Sequence, residues 1–113
     1  MSGPAGMATG QRIAGQLVCG GGFHDFDYAR LRMCELFAAD ERLRVRVDSV
    51  FPQDLDDIRF LVSYTCDMRP SPEVQAAIVE WITAGGRWFA LHATNSVIEL
   101  TDAGVECPNL VPL

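Results

Sequence analysis

The chain has 113 residues and a formal net charge of −6, with 49% apolar and 21% charged residues. This size suits one domain or part of one, and the apolar fraction supports a packed core and excludes a disordered protein. All nine basic residues are arginine, which excludes a lysine-dependent phosphate loop and Schiff-base chemistry.

The charge pattern also bears on partners. Between residues 30 and 48 arginines alternate with acidic residues, so they form no continuous basic stripe for a nucleic-acid backbone. No apolar run approaches the ~20 residues of a membrane span. Residues 1–11 lack the apolar core of a secretory signal, and we expect them to be a disordered tail before a domain at 12–113. The four cysteines form no Cys-x-x-Cys pair, which favours reduced thiols and a cytoplasmic protein.

The first half of the domain predicts a strand, a helix and a second strand. Residues 13–19 are mostly apolar and run into three glycines, as in a buried strand that ends in a tight turn. A helix then begins at Asp25 or Asp27 and ends near Ala39, since apolar residues recur there at helical spacing. In residues 43–50 apolar and charged residues alternate, which is typical of a strand at a sheet edge.

The second half predicts two more strands and two more helices. Residues 58–64 are a predicted strand, and residues 88–91, which are all apolar, are another. Between them, Ser71 can cap a helix whose apolar face comprises Val74, Ile78, Trp81 and Ile82, and which ends at Gly85 and Gly86. The sequence Ser-Val-Ile-Glu from Ser96 matches a capping box, so a further helix is expected to begin there.

Strands that alternate with helices predict an α/β fold, a parallel sheet with helices on both faces and the flavodoxin-like strand order 2-1-3-4. The fourth strand, at 88–91, would then lie at an edge without the charges or prolines that usually protect one. We therefore expect the domain to be incomplete and to self-associate through this exposed edge.

Residues with reactive or polar side chains, and glycines, follow the strands at the edge where a parallel sheet binds ligands. The candidate catalytic residues are His24, Asp25 and His92. The candidate ligand-binding residues are Gly21, Gly22, Thr65, Asp67, Thr94 and Asn95.

Each group has alternative roles. The histidines can be a proton-transfer pair, two ligands of a divalent metal, or polar residues that hydrogen-bond the strand ends together. The glycines can offer backbone N–H groups to a carboxylate, phosphate or sugar hydroxyl, or can simply form a turn. Thr94 and Asn95 are helix caps first and ligand contacts second. For Cys66, a buried thiol is favoured over a nucleophile.

Three segments resemble the family of trehalose-utilisation-protein-A-like (ThuA-like) domains: GGGFHDF at 20–26, VSYTCDMRPSPE at 62–73 and, most specifically, EWITAGGRWFALHATNS at 80–96. The resemblance covers about residues 13–107. It implies the N-terminal half of a flavodoxin-like domain of the class I glutamine-amidotransferase-like fold, since domains of this family are about twice as long.

The resemblance also implies a function. The family is linked to the use of trehalose and related sugars, which suggests a sugar-like small molecule as ligand. In class I amidotransferases the elbow after the corresponding strand carries a nucleophilic cysteine, whereas this chain has His92, which cannot form their thioester. Two hypotheses stay open: a carbohydrate-active enzyme that uses His24, His92 and Asp25, or a non-catalytic ligand-binding or interaction domain.

Overall fold

The computed structural model describes residues 11–110, so the predicted tail lies outside the described residues except for Gln11. The elements in chain order are β1 (Ile13–Gly21), α1 (Phe26–Ala38), β2 (Leu43–Asp48), β3 (Phe60–Cys66), α2 (Pro72–Thr83), β4 (Arg87–Ala90), β5 (Ser96–Thr101) and β6 (Gly104–Leu110). The chain is therefore α/β, as predicted.

The first four strands form one sheet in the order β2-β1-β3-β4. Every neighbouring pair in this sheet is parallel, with Gly15 opposite Phe60 and Phe60 opposite Arg87. The predicted order and direction are confirmed. β3 begins two residues later than predicted and β4 one residue earlier, shifts that are ordinary for strand ends.

The two helices cover opposite faces of the sheet. Adjacent residues of a strand point to opposite faces, and Leu17 and Val18 of β1 belong to different buried clusters. Leu17 packs with Phe26 of α1, whereas Val18 shares its cluster with Ile78 of α2. Apolar burial on both faces explains why β1 is buried from Gly15 to Gly20.

The predicted helix caps are present. The Asp25 carboxylate accepts a hydrogen bond from the Tyr28 N–H at 3.1 Å, and the Ser71 hydroxyl accepts one from the Val74 N–H at 3.2 Å. Gly85, at a φ of 111°, follows the end of α2. The apolar face of α2 is narrower than predicted, because Ile82 is 39% exposed.

The helix expected from Ser96 is wrong. Residues Ser96–Thr101 form β5, which pairs with β6 as an antiparallel hairpin around a turn that ends at Gly104, at a φ of 116°. β-Branched Val97 and Ile98 favour the extended form, and Asp67 binds this strand through its backbone and its carboxylate. Tertiary contacts thus override the local capping pattern.

No helix within residues 11–110 is long and apolar enough to cross a membrane.

Candidate functional site

Three loops meet at the carboxyl edge of the sheet, and each contains one non-glycine residue with positive φ. These residues are Phe23 after β1, Asp67 after β3 and Ala93 after β4, with φ values of 74°, 57° and 67°. Such conformations are costly for residues with a Cβ atom and cluster at functional sites. The backbone itself therefore marks this edge as the candidate functional site.

The two histidines of the chain come together at this edge. His24 follows β1 and His92 follows β4, yet their ring centroids are only 5.5 Å apart, in an edge-to-face arrangement. Both side chains are exposed, and neither imidazole makes a hydrogen bond to the groups described for residues 11–107. The described contacts therefore do not use the imidazoles to hold the strand ends together.

Aromatic rings support one side of the pair. The His24 ring lies 5.8 Å from Phe26 and 5.7 Å from Tyr64, centroid to centroid, and these two rings are 5.3 Å apart. Phe26 is buried and begins α1, while Tyr64 belongs to β3. Packing against two rings restricts the orientation of the His24 imidazole.

Asp25 lies beside the histidine pair but already has a structural role as the cap of α1. Together with Gly21, His24 and Arg30 it lines an open depression of about 380 Å³. The Arg30 guanidinium pairs with Asp27 and also approaches the Cys19 carbonyl, at 3.4 Å. The depression thus combines an imidazole, two carboxylates and a guanidinium, which can both donate and accept hydrogen bonds.

The glycine loop is tightly joined to β3. Gly21 has a φ of 115°, and a Cβ atom there would lie 2.0 Å from the Cys66 carbonyl oxygen. The Gly22 N–H donates to that same carbonyl at 3.0 Å. These glycines therefore allow a close backbone approach, and the Gly22 N–H already has a partner within the chain.

Thr65 and Thr94 are buried, and their hydroxyl groups join β3 to the loop that follows β4. The Thr65 hydroxyl donates to the Thr94 carbonyl at 3.1 Å, and the Thr94 hydroxyl lies 3.0 Å from that of Ser63. Asn95 is half-buried and lines a second depression of about 250 Å³, next to the His92 loop. The structure therefore separates these three residues from the depression beside His24.

Asp67 connects the hairpin to the sheet. Its carboxylate accepts hydrogen bonds from the Ile98 N–H at 3.0 Å and from Arg69 at 2.9 Å, and its own N–H donates to the Ser96 carbonyl at 2.9 Å. The Ile98 N–H and the Arg69 guanidinium lower the pKa of Asp67. All of these contacts stabilise the hairpin, and the other carboxylate oxygen is the group left for a ligand.

The thiols near this edge are buried. Burial raises the pKa of the Cys66 thiol, and the neighbouring Asp67 carboxylate raises it further. Burial also raises the pKa of Cys19, whose sulfur lies 3.4 Å from the Phe26 carbonyl. A raised pKa disfavours the nucleophilic thiolate, in agreement with the interpretation of Cys66 as a buried thiol.

The residues at the edge do not fit a resident metal. Within residues 11–110, no three His, Cys, Asp or Glu side chains converge on a common point that could hold an ion. Catalytic zinc sites use three protein ligands and structural ones use four, whereas the histidine pair supplies two. The pair alone therefore has fewer protein ligands than either kind of zinc site.

Phe23, Tyr64 and Ala93 also lie at this edge, although they are not among the candidate residues selected from the sequence. A positive φ at Phe23 or Ala93 has no signal in a single sequence, because neither residue type favours it. The alternation of side chains along β3 could have predicted that Tyr64 lies on the α1 face of the sheet. It could not have predicted the distance between Tyr64 and His24.

Comparison with models of protein families gives no match, and neither does comparison with curated proteins or with solved structures.

Proposed function

We propose that this chain is part of a ThuA-like domain with a glutamine-amidotransferase-like, flavodoxin-like fold, and that it binds a small sugar-like molecule on the exposed side of the His24–His92 pair. The parallel order β2-β1-β3-β4 and the three resembling segments support the family. The observation that carries the binding site is the 5.5 Å separation of two imidazoles from loops at opposite sides of β3.

The chemistry of the edge favours a polyhydroxylated ligand. A sugar hydroxyl both donates and accepts hydrogen bonds, and the exposed imidazoles can do the same. Asp25 and Arg30 in the adjoining depression add charged hydrogen-bonding groups. The exposed Phe23 ring, 62% accessible, offers an apolar surface for the carbon skeleton.

In this proposal His24 and His92 contact the ligand directly, and each imidazole can take up or donate a proton at a ligand hydroxyl. Asp25 has a secondary part, because one of its carboxylate oxygens already caps α1. The helix expected near Ser96 makes no contribution, since that segment is β5. Thr65 and Thr94 act by holding the His92 loop against β3.

A titration with trehalose and with glucose tests the proposal. The chain has two histidines, so their ring signals in a ¹H–¹⁵N NMR spectrum are easily assigned. We expect both to shift with one common dissociation constant. His24→Ala and His92→Ala should each weaken binding by about tenfold, the effect of losing roughly 1.4 kcal/mol of hydrogen bonding.

Tyr28→Ala is the matched control, because it removes an exposed ring of α1 that lies outside the histidine cluster. It should bind as the unsubstituted chain does. Circular dichroism checks that each variant folds. If neither sugar moves the histidine signals, or if the histidine variants bind unchanged, the proposed site is wrong.

One observation favours a second candidate, a non-catalytic interaction domain. The outer strand β4 exposes 64% of Phe89, and the hairpin exposes 76% of Leu100 and 66% of Val105. Apolar side chains on an outer strand are typical of surfaces that bind a protein. A chain that binds neither sugar and associates through β4 would support this alternative.

A further inference from the structure

A cleft separate from the two depressions described above lies away from the histidines, between the outer strand β2 and the segment 49–57 that follows it. It has a volume of about 570 Å³ and is lined by Gln16, Arg46, Val47, Asp48, Pro52, Gln53 and Asp54. None of these residues lines the depression beside His24. The cleft is therefore a separate feature of the fold.

Gln16 is the unusual residue of this cleft. It lies in the middle of β1, opposite Arg46 of β2, and only 3% of its surface is exposed. Its side-chain oxygen accepts a hydrogen bond from the Arg46 guanidinium at 2.9 Å. Its side-chain nitrogen has no partner among the backbone and side-chain groups described for residues 11–107. Buried polar groups nearly always have partners, so an amide donor that lines an open cleft without one points to a ligand.

The neighbouring guanidinium is held in place by other groups. Arg46 makes a two-pronged pair with Asp57, at 3.1 and 3.2 Å, in addition to its bond with Gln16. A guanidinium with both carboxylate oxygens and an amide oxygen around it is fixed in orientation. Arg46 therefore positions the Gln16 amide, so that its N–H group can serve a ligand.

The charge of the cleft is negative. Asp48 and Asp54 line it together with Arg46, whose guanidinium is paired with Asp57. Asp48 accepts the Ser49 N–H through one oxygen, and Asp54 accepts the Asp56 N–H in the same way. Each therefore keeps a second oxygen for a ligand, and the excess of carboxylates attracts a cation.

From these contacts we infer that the cleft binds a small amino alcohol, a molecule that carries a cationic amine together with hydroxyl groups. A hydroxyl oxygen accepts from the Gln16 amide, and the amine pairs with the free oxygens of Asp48 and Asp54. Pro52 supplies apolar surface for the carbon skeleton. This site is independent of the one between the histidines.

Glucosamine and glucose are a matched pair of probes, because they differ only at C2, where glucosamine has an amine and glucose has a hydroxyl group. We expect glucosamine, titrated into the 113-residue chain at millimolar concentrations, to shift the Gln16 side-chain amide signal to saturation. Glucose should bind there about tenfold more weakly or not at all, since it lacks the charge that the carboxylates pair with.

Variants identify the groups that bind. Gln16→Met keeps the length of the side chain and removes the amide, and it should weaken glucosamine binding at the cleft about tenfold. Because this variant lacks the Gln16 signal, its binding is followed through the backbone amide signals of Val47 and Gln53, which also line the cleft. Gln75→Met is the control: its amide already donates to the Pro70 carbonyl at 2.9 Å, so binding should not change. Should Gln16→Met fail to fold, Asp54→Asn tests the same site at its rim, and it too should bind more weakly.

Three outcomes would overturn the inference. In the first, the Gln16 signal does not respond to glucosamine, which leaves a bound water as the only partner of the amide. In the second, glucose binds there as tightly as glucosamine. In the third, Gln16→Met or Asp54→Asn binds as the unsubstituted chain does. Because the readout is residue-specific, binding at the histidines gives a separate set of shifts, and His24→Ala should leave the Gln16 response unchanged.

Discussion

Gly21 is the position where the loop of His24 is most sensitive to a single methyl group. In Gly21→Ala the new Cβ would lie 2.0 Å from the Cys66 carbonyl oxygen, a backbone atom that cannot rotate away. The φ of 115° is also unfavourable for alanine. Backbone strain costs about 1 to 3 kcal/mol, and overpacking costs about 1 to 3 kcal/mol. We therefore expect a loss of roughly 2 to 6 kcal/mol.

Urea denaturation followed by circular dichroism measures this loss. With a typical slope of about 2 kcal/mol per molar urea, the midpoint should fall by roughly 1 to 3 M. The adjacent glycine provides the control. A Cβ added at Gly22 would meet no atom within 4 Å, and the φ of Gly22 is not positive, so Gly22→Ala should change stability by less than about 1 kcal/mol. Equal midpoints for the two variants would refute the close contact between Gly21 and Cys66.

Two further predictions concern the hairpin and the outer strand. Because the pKa of Asp67 is lowered in the folded chain, its contribution to stability is complete above the ordinary aspartate value of about 3.9 and is lost as pH falls through the folded value. Amide exchange should therefore show β5 opening at acid pH before β1, and Asp67→Asn should remove that pH dependence; simultaneous opening of both strands would contradict this. At β4, Phe89→Asp should reduce the self-association that sedimentation equilibrium measures, whereas the control Tyr28→Asp should not change it. If the unsubstituted chain and both variants are equally monomeric, the chain does not pair through this edge.

The sheet was predictable because its pattern is local. Apolar and charged residues alternate in β2, as expected for an outer strand, whereas β1 is mostly apolar, as expected for a strand buried on both faces. These two patterns agree with the observed strand order β2-β1-β3-β4. The hairpin was not predictable by the same means. Its first strand begins with a sequence that also fits a capping box, and the contact that decides between the two forms comes from Asp67, 31 residues before Ile98.

The candidate site was predictable only in part, for a related reason. Parallel strands place their carboxyl ends at one edge, which puts His24 and His92 on the same side of the sheet, while the loops after β1 and β4 set the distance between them. Whether the threonine hydroxyl groups bind a ligand or the protein depends instead on how their side chains pack. Thr65 and Thr94 carry side chains that could serve a ligand or the protein, and their burial at 0% and 6% exposure commits them to the protein.

The central strand β3 determines how the histidines face each other. The loop of His24 is tied to it by the Gly22 N–H bond to the Cys66 carbonyl, and the loop of His92 by the bonds between Thr94 and Ser63. Two loops anchored to the same strand keep a fixed separation, so a ligand that binds the paired imidazoles need not order them on binding. The internal bonds of the threonines and of Gly22 thus act on the site indirectly. They position the two imidazoles, which make no hydrogen bond to the groups described for residues 11–107 and can therefore bind a ligand.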